Sequence, residues 1–181
     1  MKSTGEVMGI DRTFAGGFAK AQAATLHYLP TEGTAFLSVR DSDKNEEVLQ
    51  IAKALSEMGF SLIGTLGTSV FLSENGIPVN RVNKVREGSP HIVDLLGSGE
   101  ISLVINTPEG TGPFLDSRSI RIVASELKVP TYTTLAAAYA AVQSIQILKK
   151  KLSLGVLSLQ EYHGLLQTIW NHLLRPKDIR Y

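Results

Sequence analysis

Residues 60–76, which read FSLIGTLGTSVFLSENG, give the strongest indication of the fold class. The first four residues form a short apolar run, which is typical of a buried strand. A glycine-rich turn follows, and the pattern then predicts a short helix over 68–75 that Gly76 ends. A strand that passes through such a turn into a helix is the repeating unit of a parallel α/β sheet.

The same alternation of strand and helix continues on both sides of this stretch. Apolar periodicity predicts strands over 34–39, 60–63, 79–85, 102–105 and 129–132. It predicts intervening helices over 46–58, 68–75, 91–96, 117–127 and 135–150. We therefore predict a three-layer α/β/α domain with a five-stranded, mainly parallel sheet over residues 33–150. Residues 1–32 and 151–181 would be extensions with helices over 12–26 and 159–174.

Composition and charge exclude several classes of protein. The chain has 181 residues, with 43% apolar residues and a net charge of +1, which excludes disorder and argues against a nucleic-acid or membrane-surface binder. It has no cysteine, so disulfides and zinc–thiolate sites are excluded. Four histidines share no metal-ligand spacing, and no metal site is predicted. The uncharged run 129–148 is too polar for a membrane span, so we expect a soluble cytoplasmic protein.

Polar and cationic side chains follow the predicted strands. In an open parallel sheet, ligands bind beyond the carboxyl ends of the strands, so these residues are candidates for a site. The candidates share hydroxyl, amide, cationic or glycine chemistry and are Ser38, Arg40, Lys44, Gly64, Thr65, Gly67, Thr68, Asn83, Lys84, Arg86, Asn106, Thr107, Thr133 and Thr134. Neither a carboxylate-rich nor a histidine-rich centre accompanies them. The sequence therefore predicts an anion site at this edge of the sheet.

The turn Gly64–Thr68 admits two interpretations. A glycine-rich turn that opens a helix exposes backbone N–H groups, which suit phosphate. The alternative is an ordinary strand–helix turn in which Thr68 caps the helix. Lys44, Lys84 and Asn106 at neighbouring strand ends favour the phosphate interpretation. No Walker pattern or dinucleotide fingerprint is present.

Several motifs, in order along the chain, resemble one known family. They are Ser38-Val-Arg-Asp-Ser-Asp-Lys44, Gly64-Thr-Leu-Gly-Thr68, Val82-Asn-Lys-Val85, His91, Asn106-Thr107, Asp116-Ser-Arg118 and Tyr132-Thr-Thr-Leu135. Together they resemble the C-terminal allosteric domain of the carbamoyl-phosphate synthase large chain, which has a methylglyoxal-synthase-like fold. Residues 3–9 look like the end of the preceding ATP-grasp domain, and residues 160–163 are similar to the family's final segment. The resemblance implies three parts. Residues 1–32 would be the end of the preceding ATP-grasp domain and a linker helix, residues 33–150 the allosteric domain, and residues 151–181 a helical tail.

The resemblance also implies a function. The family's large chain works with a glutaminase small subunit and makes carbamoyl phosphate from bicarbonate, glutamine-derived ammonia and two ATP, for arginine and pyrimidine synthesis. ATP, Mg²⁺ or Mn²⁺, and K⁺ would be used by the parent chain, whereas this chain would need no cofactor and would not be catalytic alone. Its role would be to bind effectors, and it would also contribute to oligomerisation. A start at Met1 directly before an interior motif favours a piece cut from a larger chain.

Two effector sites are implied residue by residue. Eight of the strand-end residues match the family's pocket for a nucleotide monophosphate such as UMP or IMP, and they are Ser38, Lys44, Thr65, Gly67, Thr68, Lys84, Asn106 and Thr107. Glu6 and Thr133 match positions of its ornithine site. The loop 108–112 departs from many bacterial relatives, which carry another threonine and basic residues there.

Two other hypotheses stay open. The first is a free-standing lyase of the methylglyoxal synthase type that acts on dihydroxyacetone phosphate, which would need a carboxylate base. Asp41 and Asp43 are the carboxylates nearest in sequence, and the family's Gly-Gly-Asp loop is not seen. The second is a structural or oligomerisation module whose pocket binds nothing.

Overall fold

The computed structural model describes residues 2–3, 5–107, 114–150 and 154–173. A two-stranded antiparallel hairpin stands at the start, and a five-stranded parallel sheet forms the centre in the order β5-β4-β3-β6-β7. The strands are β1 (Lys2–Ser3), β2 (Glu6–Val7), β3 (Thr34–Ser38), β4 (Ser61–Gly64), β5 (Asn80–Arg81), β6 (Leu103–Asn106) and β7 (Thr131–Tyr132). The predicted five-stranded parallel sheet is confirmed.

Helices connect these strands and cover the sheet. They are α1 (Phe14–Ala24), α2 (Glu46–Glu57), α3 (Leu66–Glu74), α4 (Ile92–Gly97), α5 (Phe114–Glu126), α6 (Leu135–Lys149) and α7 (Leu159–Leu173). Two single 3-10 turns, Asp41–Asp43 and Val85–Glu87, follow β3 and β5. Both lie at the carboxyl edge of the sheet, so they shape the region where a ligand would bind.

The side chains of the central strands alternate between two apolar cores. Ala35 and Leu37 of β3 pack with residues of α2, α3 and α6 on one face. Phe36, between them, packs with residues of α4 and α5 on the other face. All three are fully buried, as a strand covered on both faces requires. The three-layer α/β/α arrangement is therefore confirmed.

The terminal helices also pack on this framework. Ser144 of α6 donates its hydroxyl to the carbonyl oxygens of Ala15 and Ala140 at 2.8 Å each, which joins α1 to α6. Tyr162 of α7 donates its hydroxyl to the Ile10 carbonyl at 2.8 Å and accepts a hydrogen bond from Lys20 at 2.8 Å. The extensions are thus attached to the central domain, while the boundaries at 32/33 and 150/151 stay predictions.

Some predicted element boundaries are wrong. The strand expected over 79–85 is only Asn80–Arg81, because a 3-10 turn takes up residues 85–87. Helix α3 begins at Leu66, so Thr68 lies inside its first turn and does not cap it. Helix α5 begins at Phe114 rather than at residue 117.

The uncharged run 129–148 folds as the expected strand and helix. It contains β7 and most of α6, an alanine-rich helix whose inner face is buried. No helix in the described part of the chain is long and apolar enough to cross a membrane.

Burial of the α2 face should dominate the stability of this core. Ile51 of α2 is fully buried, whereas Ile122 of α5 is 47% exposed. We expect Ile51→Ala to lower the free energy of unfolding by about 2–5 kcal/mol, since it removes buried methylenes and leaves a cavity. The helical control Ile122→Ala should change it by less than about 1 kcal/mol. Urea unfolding measures both, and equal losses would contradict the proposed position of the core.

Candidate functional site

The candidate site lies where the connection between strands changes direction. From β3 the chain proceeds outward to β4 and β5, and it then crosses to β6 and β7 on the other side of β3. Neighbouring strands β3 and β6 end together, with Ser38 paired in register to Asn106. Loops leave these two strand ends in opposite directions, and the crevice between them is where open α/β sheets bind ligands.

Three of the predicted residues form one hydroxyl cluster at this crevice. The Ser38 hydroxyl lies 3.2 Å from that of Thr65, and Thr65 donates its hydroxyl to Thr68 at 3.5 Å. Thr68 Oγ1 also accepts the backbone N–H of Val39 at 3.0 Å. Thr65 and Thr68 are buried, so the turn Gly64–Thr68 is fixed to the end of β3.

Thr107 fixes the other side of the crevice. Its backbone N–H donates to the Ser38 carbonyl at 3.0 Å, and its hydroxyl accepts the N–H of Arg40 at 3.1 Å. Thr107 is also buried. The chain leaving β3 is therefore held by hydroxyl groups from both of its neighbours.

Asn106 supplies a buried hydrogen-bond donor that the described part of the chain leaves without an acceptor. The residue is only 3% exposed, and its Nδ2 atom has no acceptor among the described residues. A buried amide without a partner costs about 1–3 kcal/mol. Such a donor at the carboxyl end of a central strand indicates a place for the acceptor atoms of a ligand.

Lys44 brings a positive charge to the glycine-rich turn. A Cβ atom on Gly67 would lie 2.9 Å from Lys44 Nζ, so a larger residue there would require the lysine side chain to shift. Lys44 Nζ also forms an ion pair with Asp41 Oδ1 at 2.5 Å. The ammonium group therefore lies close to the backbone of the first turn of α3.

Lys84 lies between β5 and the 3-10 turn that follows it, with an exposed side chain. Its backbone N–H donates to Glu87 Oε2 at 3.1 Å. The ion pair with Lys44 holds the pKa of Asp41 below its usual range, and the charge of Lys84 lowers that pKa further. The two predicted cations thus both act on the carboxylate of Asp41, which begins the 3-10 turn after β3.

Neither nearby carboxylate is suited to be a catalytic base. Asp41 is paired with Lys44, and its lowered pKa makes it a weaker base than a free aspartate. Asp43 Oδ1 is bound to Arg40 Nε at 3.0 Å. The site can bind an anion, but its carboxylates do not favour the proton abstraction that a lyase needs.

The two predicted ornithine residues are not brought together by any described contact. Glu6 is exposed in the hairpin strand β2. Thr133 is exposed just after β7, and it lines a pocket of about 310 Å³ with Tyr132, Gln22 and other residues. These positions can contribute single contacts only.

Other predicted features have structural roles or lie outside the described residues. Loop residues 108–113 are outside the described ranges, and the departure at 108–112 falls among them. His91 caps α4, accepting the N–H of Asp94 on Nδ1 at 3.3 Å. Among the described residues, no group of three or more metal-ligating side chains lies together.

Comparison of the sequence with known proteins finds a match to one family model. Residues 47–133 match the model of the MGS-like domain, from the first turn of α2 to the end of β7. The chain contains an MGS-like domain. The match includes Thr65, Gly67, Thr68, Lys84 and the Asn106–Thr107 pair, whereas Ser38 and Lys44 precede it.

Similar curated proteins extend this likeness over most of the chain. A "Carbamoyl phosphate synthase large chain, C-terminal section" of Methanopyrus kandleri is 53% identical over 152 residues, covering 83% of this chain and 28% of that protein. A carbamoyl phosphate synthase large chain of Mesorhizobium japonicum is 47% identical over 162 residues, covering 90% of this chain and 14% of that protein. A C-terminal section from Aquifex aeolicus is 44% identical over 169 residues, covering 91% of this chain and 31% of that protein.

These similarities confirm the predicted homology to the C-terminal section of that large chain. This chain spans less than a third of the length of each of these three relatives. Each relative therefore contains several hundred residues with no counterpart in this chain. Most of their length therefore lies outside the region compared.

Sequence reasoning did not find Tyr132 as a residue of interest. Its phenol is buried and has no hydrogen-bond partner among the described residues. Burial raises the pKa of this phenol well above its usual value. Its sequence signals were its place in an apolar strand and at the start of the motif Tyr132-Thr-Thr-Leu135, and neither of them predicts a buried hydroxyl without a partner among the described residues.

Two tyrosine-to-phenylalanine changes should therefore act differently. Tyr132→Phe removes a buried hydroxyl that has no partner in the described ranges, so we expect it to be neutral or to stabilise by up to about 1 kcal/mol at pH 7. Tyr162→Phe removes two hydrogen bonds and should destabilise by about 1 kcal/mol. Urea unfolding measures both changes.

The pH dependence of Tyr132→Phe has a definite sign. The phenol of an unfolded chain releases its proton near the ordinary tyrosine pKa of about 10, whereas burial raises the pKa of the native phenol, which keeps its proton to higher pH. Ionisation thus favours the unfolded chain, and the stability of the native protein falls as the pH rises above the ordinary pKa. Tyr132→Phe should gain relative stability in that alkaline range, and a relative loss there would contradict the burial of an un-ionised phenol.

Proposed function

We propose that this MGS-like chain is a regulatory module of a carbamoyl phosphate synthase large chain and that its crevice binds a nucleoside monophosphate such as UMP or IMP. The observation that carries the proposal is the buried Asn106 Nδ2, which has no acceptor among the described residues and lies at the end of β6, next to the hydroxyl cluster at the end of β3. Lys44 lies over the neighbouring glycine-rich turn. Amide and ammonium donors and hydroxyl groups around one crevice suit a phosphate group.

The phosphate would bind at the start of α3. Backbone N–H groups in the first turn of a helix are unpaired, and the helix dipole favours an anion there. Lys44 already lies over Gly67 in this turn, and Lys84 would provide the second positive charge. Ser38, Thr65, Thr68 and Thr107 would orient the turn and offer hydroxyl contacts, while Asn106 would donate its amide.

The parent enzyme would carry out the chemistry elsewhere. In our proposal it forms carbamoyl phosphate from bicarbonate, glutamine-derived ammonia and two ATP, with a glutaminase small subunit. ATP, K⁺, and Mg²⁺ or Mn²⁺ would be bound by other parts of the large chain, and this chain alone would not catalyse the reaction. An effector would regulate the enzyme by binding one of its conformational states more tightly than another.

An ornithine site would need partners from outside this chain. Glu6 and Thr133 would contribute one carboxylate and one hydroxyl, and they lie on separate elements. The remaining contacts would come from the preceding half of the large chain. Ornithine binding to this chain alone should therefore be weak.

Calorimetric titration of this chain with UMP and IMP tests the nucleotide site directly. We expect saturable binding of at least one of them, with Lys84→Ala weakening the affinity about tenfold or more, since a hydrogen bond to a charged group contributes about 1.5–3 kcal/mol. The lysine is exposed, so its removal should leave the fold intact.

Lys53→Ala is the matched control for charge. Lys53 is an exposed lysine of α2, outside the proposed crevice, and its loss should change nucleotide affinity by less than about twofold. No heat with either nucleotide at millimolar concentration would overturn the proposed site. Equal losses in the two variants would mean that only overall charge matters.

A further inference from the structure

We propose that Asp41 competes with the effector for Lys44. Its carboxylate pairs with the Lys44 ammonium group when the crevice is empty, and this pairing lowers the affinity of the site for phosphate. This inference rests on the proposed nucleotide site and adds to it a residue that sets the affinity. The family resemblance gave Asp41 no role in binding.

The geometry places the carboxylate where an anion would bind. Asp41 Oδ1 lies 2.5 Å from Lys44 Nζ, and that ammonium group lies over Gly67 at the start of α3. A carboxylate and a phosphate both accept hydrogen bonds from the same ammonium donors. An incoming phosphate that uses Lys44 must therefore displace Asp41 or share the lysine with it.

The two partners differ in how firmly the protein holds them. The Lys44 side chain is 20% exposed, whereas the Asp41 side chain is 83% exposed. The lysine is thus part of the crevice wall, and the carboxylate approaches it from the solvent side. An ion pair with so exposed a partner contributes little to stability, so a ligand can break it.

The local backbone makes the pairing independent of distant contacts. Asp41 begins the 3-10 turn after β3, and the Lys44 N–H donates to the Asp41 carbonyl at 3.2 Å. One turn therefore brings the two side chains together. The neighbouring Asp43 is engaged differently, because it binds Arg40 Nε at 3.0 Å and its side chain is only 14% exposed.

Lys84 adds a second cation to the surroundings of Asp41. The pKa of Asp41 is lowered first by Lys44 and also by the charge of Lys84, so the carboxylate lies in the field of both lysines. A phosphate held between these lysines would be repelled by Asp41 unless that side chain turned away. Replacing the Asp41 carboxylate by an uncharged side chain should therefore strengthen phosphate binding.

The experiment compares Asp41→Asn with the unchanged chain by calorimetric titration with UMP and, separately, with inorganic phosphate. We expect Asp41→Asn to bind each probe about three- to tenfold more tightly. Removal of the competing carboxylate and of its negative charge should raise the affinity for phosphate by at most about tenfold. The factor should be similar for both probes, because Asp41 acts on the phosphate group.

Controls separate this effect from charge and folding. Glu57→Gln, at the far end of α2, makes the same charge change away from the crevice and should alter affinity by less than about twofold. The unfolding midpoint of Asp41→Asn should stay within about 4 °C of the unchanged chain. In a chain that already carries Lys44→Ala, Asp41→Asn should raise the affinity for the probes much less, because the ammonium group for which Asp41 and the phosphate compete is absent.

Each result has one meaning. Tighter binding that depends on Lys44 supports the competition. Weaker binding by Asp41→Asn would overturn it and show that Asp41 positions Lys44 for the ligand, and unchanged binding would overturn it as well. No binding of UMP or phosphate by either protein would overturn the proposed nucleotide site and the competition with it.

Discussion

The parallel pairing of β3 with β6 is the constraint on which the rest of this structure depends. It brings Ser38 opposite Asn106 at the point where the chain turns to opposite sides of the sheet. Because both strands are buried on both faces, a slip of one residue would exchange Leu37 and Phe36 between the two cores. The apolar cores therefore fix the register, and the register fixes which polar side chains share the crevice.

Packing on one face connects this crevice to both ends of the chain. Helix α1 lies against α6 through the shared hydrogen bonds of Ser144, and α6 begins just after Thr133. Lys20 of α1 binds Asp11 at 2.6 Å and Tyr162 of α7 at 2.8 Å. A continuous set of packed helices therefore joins the segment before α1 to the end of β7.

The sequence predicted the sheet well because its signals are local. Apolar runs such as 60–63 and glycines such as Gly76 mark buried strands and helix ends wherever they occur. It predicted the crevice because strand ends of a parallel sheet must meet. The partners of the side chains were not predictable, since the pairing of Lys44 with Asp41, and the lack of a partner for Asn106 Nδ2 among the described residues, depend on distances across loops. The third central strand was predicted too long, over 79–85, because Val82 and Val85 continue its apolar pattern beyond Asn80–Arg81, whereas a 3-10 turn begins at Val85.

Binding and catalysis would make different demands on the carboxylates beside this crevice. A lyase needs a carboxylate that is free to take a proton from its substrate, and an ion pair with a cation lowers the basicity of that carboxylate. Here Asp41 is paired with Lys44 and Asp43 with Arg40, so both carboxylates of the 3-10 turn after β3 have cationic partners. In the proposed binding site, the pair of Asp41 with Lys44 would limit the affinity for phosphate, and such a limit would let the site release its effector when concentrations fall.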